Sequence, residues 1–157
     1  MKTMKKILVL MVALMALTTT TTAQVQKREY GFSRLHHETV ETSYGNFDRV
    51  NPYVCERVNG GDWNKISDDR VVFCQEVRRD RQTYELVLTA ENYTKKSLNL
   101  KVKFSYTIKG GSKQTKTMDM YVYPQGKSYS NVIYMFWKNN PFVESFHIES
   151  IKIEKMW

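Results

Sequence analysis

Cysteine is almost missing from this chain: Cys55 and Cys74 are the only two in 157 residues. No C-x-x-C spacing and no second pair exists, so a catalytic or metal-binding thiol is the weaker reading. No apolar run reaches the roughly twenty residues that a membrane-spanning helix needs; the longest, Ile7 to Leu17, has eleven. There is no G-x-S-x-G elbow, no H-E-x-x-H helix and no phosphate-binding glycine loop, and nothing in the sequence marks two carboxylates as a pair. The sequence therefore makes no positive case for catalysis, for a cofactor or for a metal. A helical apolar stripe of useful length is lacking as well, which leaves an all-β chain.

What is present begins with Lys2, Lys5 and Lys6, the apolar run, then Thr18 to Thr22 and Ala23. This charged, apolar, small-residue order is that of a secretory signal peptide, over residues 1–23. Its lysine-rich start and short polar end resemble a bacterial export signal. The expected location is periplasmic or extracellular, with no retained membrane span. No cysteine lies near the expected cleavage point, which argues against a lipid anchor. The formal charge is +8; three of those charges are the leader lysines, leaving +5 for residues 24–157. The basic residues are spread among acidic ones, and no nucleic-acid partner is expected. Cys55 and Cys74 both lie in the exported part, so a Cys55–Cys74 disulfide is the natural expectation. Closing a loop of about 20 residues would stabilise a small domain by roughly 3 kcal/mol.

The clearest element is Leu98 to Ile108, in which Leu98, Leu100, Val102, Phe104, Tyr106 and Ile108 alternate with polar residues. Such alternation is a half-buried strand, here about 36 Å long. Its expected partner is Thr83 to Glu91, joined to it by the polar turn Asn92 to Ser97. Further strands are expected over Tyr53 to Val58, Val71 to Val77, Thr115 to Tyr123 and Ser128 to Trp137. The last runs from Phe142 to about Glu154, with a β-bulge at Glu149-Ser150 where the apolar phase slips. Residues 24–50 are polar and aperiodic and read as an extended arm with at most one short edge strand. The chain thus divides into leader 1–23, arm 24–50 and a β domain 51–157.

The segment V-L-T-A-E-N-Y-T-K-K-S-L-N-L-K-V-K-F-S-Y, the following K-G-G and strand, and then P-Q-G-K-S-Y-S resemble bacterial cell-envelope domains of the immunoglobulin-like or fibronectin-III-like kind. The resemblance spans Tyr84 to Ile153 and implies an immunoglobulin-like antiparallel β-sandwich of about seven strands. The antibody pattern of cysteine, tryptophan and cysteine is absent, since only 18 residues separate Cys55 from Cys74.

Four groups of residues are candidates for function. His36, His37 and His147 offer imidazoles, but neighbours on an extended chain point opposite ways, and surface histidines are the favoured reading. Asp62, Asn64, Asp68 and Asp69 offer calcium-type oxygens at a spacing that fails the helix-loop-helix pattern, so a solvated loop is favoured. Asn92-Tyr93-Thr94 matches a glycosylation acceptor, although a turn role for Asn92 suits a bacterial protein better. The aromatic residues, 13% of the chain, exceed what a small core absorbs. Trp63, Tyr121, Tyr123, Tyr129 and Trp137 are the candidate binding residues, for a protein of the envelope or extracellular space, with a glycan as the second choice.

Overall fold

The computed structural model describes residues 23–80, 83–137 and 143–157, and only the backbone of 78–80, 83–84 and 129–137. The predicted leader lies, except for Ala23, outside the described residues. Ten strands and no helix are present among the described residues: β1 Arg28–Phe32, β2 His37–Thr42, β3 Gly45–Val50, β4 Tyr53–Val58, β5 Asn64–Asp80, β6 Thr83–Asn92, β7 Leu98–Ile108, β8 Lys113–Val122, β9 Lys127–Trp137 and β10 Val143–Met156. No helix among the described residues is long and apolar enough to cross a membrane.

The strand expected over Leu98 to Ile108 is β7, end to end. Its Leu98, Leu100, Val102, Phe104 and Tyr106 are buried, each withdrawing roughly 1.5–3 kcal/mol worth of apolar surface from water. Phe104 stacks on Phe146 of β10 with centroids 5.1 Å apart. Leu86, Leu88 and Ala90 of β6 and Phe73 of β5 join the same core. Ser105, on the polar row of β7, is buried too and donates to Glu149 Oε1 at 2.6 Å. The predicted bulge is present, because the β10–β7 register shifts between Ile148 and Ser150.

The strands pair in the order β1-β4-β5-β3-β10-β7-β8, with β2 on β3, β6 on β5 and β9 on β6. Among the described residues all pairings are antiparallel except one, β3 with β10, which is parallel through the pair Ser145 and Asn46. An entirely antiparallel sheet is thereby corrected to a mixed one. Strands so distant in sequence meet without a hairpin, and nothing compels them to run oppositely.

Three expectations change. First, β6 does not form a hairpin with β7. One edge of β7 is taken by β8 and the other by β10, while β6 lies between β5 and β9. Residues 93–97 carry the chain away from its neighbours, and Asn92 fixes that crossing. Its Nδ2 donates to Lys96 O at 2.7 Å and Tyr123 O at 3.0 Å, and its Oδ1 accepts from the Thr94 amide at 2.9 Å. Both amide protons are thus used inside the fold, and Asn92 is a turn residue rather than a glycan acceptor. Second, the arm 24–50 holds three strands, β1 to β3. Their apolar residues are too few to show a period, yet Phe47 and Val50 are buried by neighbours distant in sequence.

Third, no disulfide forms; Cys55 and Cys74 are free thiols. Tyr53 pairs with Arg70, four residues short of Cys74, and Cys55 lies two residues further away in the register. At about 3.3 Å per residue the two are roughly 20 Å apart along the sheet, against Cα separations of at most about 7 Å for a bridge. Burial pushes the Cys55 thiol up from its ordinary value, which slows attack by it.

Two predictions follow from this architecture. Ellman titration of the unreduced protein in denaturant should find two thiols, and dithiothreitol should leave the urea midpoint unchanged. Asn92→Ala strands a buried amide and two carbonyls, so urea unfolding should show a loss of about 2–4 kcal/mol.

Candidate functional site

The sequence-predicted aromatic residues separate into two places. Tyr121 and Tyr123 project from the outer face and end of β8, 39% and 63% exposed. Their rings meet edge to face at 4.8 Å and 80°. Trp157, which sequence reasoning overlooked, lies against Tyr121 at 5.6 Å and 45°. It is brought there by β10, whose Lys155 pairs with Asn99, the residue opposite Tyr121 on β7. Reciprocal backbone bonds between Ser97 and Trp157 hold that end of the chain in place. The Lys155 ammonium sits 5.1 Å from the Trp157 ring. Only the position of Trp157 just beyond the last alternating strand could have hinted at this role.

Trp63, half exposed, stands before β5 and leans on β1 at Gly31. A Cβ at Gly31 would come within 2.8 Å of the indole, so any larger residue there would push the ring aside. The Arg57 guanidinium lies over the ring at 4.8 Å, so one face of the indole is already occupied. Arg57 also donates to Glu29, and that bond, with Lys27 beside it, holds the Glu29 carboxyl below the usual range. A cleft of about 500 Å³ opens here between β1 and β10, and Trp63, Tyr30, Ile151 and Lys155 are among its walls. Lys155 therefore belongs to both the cleft and the aromatic cluster. The side chains of Tyr129 and Trp137 lie outside the described residues.

The proposed calcium-type loop is not a loop from Asn64 onward, since β5 begins there and pairs with Glu56 and Cys55. Asp68 is bonded to Lys65, which holds its carboxyl below the ordinary value.

The histidines give the least expected arrangement. His36 stays exposed, but His37 at the head of β2 and His147 on β10 face each other with rings stacked 4.3 Å apart at 22°. Both present Nδ1 to Asp48 of β3, whose side chain is only 6% exposed. The carboxylate meets His37 Nδ1 at 2.8 and 3.0 Å and His147 Nδ1 at 3.5 Å, and accepts the Ile148 amide at 2.8 Å. The parallel register explains this. With Asn46 opposite Ser145, Asp48 falls beside His147, and its side chain takes the amide that a continued ladder would have given to backbone. Gly45 permits the approach; it has φ +125°, and a Cβ there would stand 1.9 Å from the Val143 carbonyl oxygen. Asp48 has no local sequence signal, because its partners lie 11 and 100 residues away.

Asp48→Ala should cost about 2–4 kcal/mol in urea unfolding, because it orphans a buried amide at the β3–β10 seam. His147→Ala, half exposed and bonded to nothing else among the described residues save Asp48, should cost about 1 kcal/mol or less.

No protein-family model, no curated protein and no solved structure matches this chain.

Proposed function

We propose that this protein is a non-catalytic, exported immunoglobulin-like β-sandwich module of the bacterial cell envelope that docks a protein partner through the surface centred on Tyr121, Tyr123 and Trp157. The observation that carries this reading is the aromatic cluster itself: three exposed rings from two strands, set at steep angles to one another. A sugar platform needs flat, open rings, whereas this cluster packs edge to face and Arg57 already covers one face of Trp63. Rings at mixed angles suit interdigitation with protein side chains, where aromatic anchors dominate binding energy. This favours a protein partner over the carbohydrate-binding alternative.

The flanking chemistry suggests an acidic partner. Beside the cluster, the outer rows of β7 and β10 carry Lys101, Lys103, Lys152 and Lys155, all exposed. Asp119 and Glu154 answer two of them, at 3.8 and 2.9 Å. The excess of positive charge would steer an acidic surface towards the rings.

Immobilised protein should recover a partner from cross-linked envelope fractions. Truncating an aromatic anchor costs at least about 2 kcal/mol, so Tyr121→Ala with Trp157→Ala should weaken that complex by about 30-fold or more, and Lys155→Glu should slow association. A glycan array should be flat. A strictly monomeric protein without an envelope ligand would refute the proposal, and saturable glycan binding lost in the same variants would establish the alternative.

A further inference from the structure

We infer that His37, Asp48 and His147 form a binding site for a divalent transition-metal ion of the zinc class. The donor set is right for such an ion: two imidazoles and one carboxylate are borderline ligands, unlike the all-oxygen shells of calcium and magnesium. One ligand atom from each residue lies within 4.8 Å of the others.

The spacing agrees with a tetrahedral shell. Bonds of about 2.0 Å to nitrogen and oxygen place neighbouring ligand atoms about 3.3 Å apart. The Asp48 carboxylate lies 2.8 Å from the His37 nitrogen and 3.5 Å from the His147 nitrogen, on either side of that edge. The rings of His37 and His147 are stacked, so their in-plane lone pairs run nearly parallel, and an ion requires both imidazoles to turn about their side-chain bonds until they point at it.

The surroundings also suit a metal. Asp48 is anchored from behind, since the Ile148 amide occupies one lone pair of Oδ2 and fixes the carboxylate's direction. That is the kind of supporting bond that orients metal ligands. The two imidazoles are the open side, with side chains 34% and 50% exposed, which provides a path for the ion and for a fourth ligand from solvent. The three ligands come from β2, β3 and β10, so a bound ion would tie the β2–β3 hairpin to β10 where the backbone supplies only one parallel register pair. This site stands apart from the aromatic surface. His147 pairs with Ser105, six residues along β7 from Asn99, which is about 20 Å of strand.

The test is isothermal titration of Zn²⁺ into the untagged, metal-free protein, with Co²⁺ as a spectroscopic probe. One equivalent of Zn²⁺ should bind and raise the melting temperature, and Co²⁺ should give the intense visible bands of a tetrahedral site. His37→Ala and His147→Ala should each weaken Zn²⁺ binding by more than about tenfold, whereas His36→Ala should bind as the unaltered protein does. Both histidines are partly exposed, so these variants can be checked for native unfolding midpoints even if Asp48 variants fail to fold. No saturable binding, or one equivalent retained at unchanged affinity in His147→Ala, would overturn the inference, as would loss of binding in His36→Ala.

Discussion

The two halves of the sheet meet at a seam between β3 and β10 that the backbone barely closes. One register pair, Ser145 with Asn46, is all that the parallel ladder contributes. Beyond it the buried Asp48 carboxylate takes the Ile148 amide and the His37 imidazole together. A buried charge is tolerated only when its lone pairs are met by donors, and here the donors come from both sides of the seam. On one side β3 carries β2 and reaches β5 through Arg49 and Val50. On the other, β10 carries β7 and β8. In the hydrogen-bonded strand order the two sides are joined by this one register pair, with the carboxylate reinforcing it.

A second constraint lies at the opposite end of β7. Asn92 binds its own turn to the Tyr123 carbonyl, and its backbone amide donates to the Gly126 carbonyl at 2.8 Å. This couples the β6–β7 crossing to the β8–β9 turn, and so holds the ends of β8 and β10 where Tyr121, Tyr123 and Trp157 gather. The proposed docking surface is therefore carried on strand ends tied to a buried amide side chain and not on a free loop. Anchors that are already ordered lose less freedom on binding.

Much of the architecture was legible. Strict alternation specified β7 to the residue and most of β6 and β8, and the phase slip at Glu149 located a bulge, because both signals depend on neighbours two residues apart; β4 and β9 were marked instead by β-prone or two-sided apolar runs between turns. The arm was misread for the complementary reason: β1, β2 and β3 hold too few apolar residues to show a period, and pairing, not pattern, makes them strands. The cysteine pair failed because redox logic says which thiols could join, while only register says how far apart they lie. Among the site residues, exposure of Tyr121, Tyr123 and Trp63 was foreseeable from their phase and turns, but the angles between rings, which separate a protein-docking surface from a sugar platform, were not.

The sequence by itself determined an all-β chain, the inward row of the central strand and the turns that punctuate it. These are local properties, decided by side-chain period and turn chemistry. Only the tertiary structure decided which strand edges meet, that β6 and β7 part company, that Cys55 and Cys74 stay apart, and that His37, Asp48 and His147 converge. A strand's two edges are chemically alike in sequence, and which partner each takes depends on burying one common core and satisfying every buried donor at once, a condition no short stretch of residues can express.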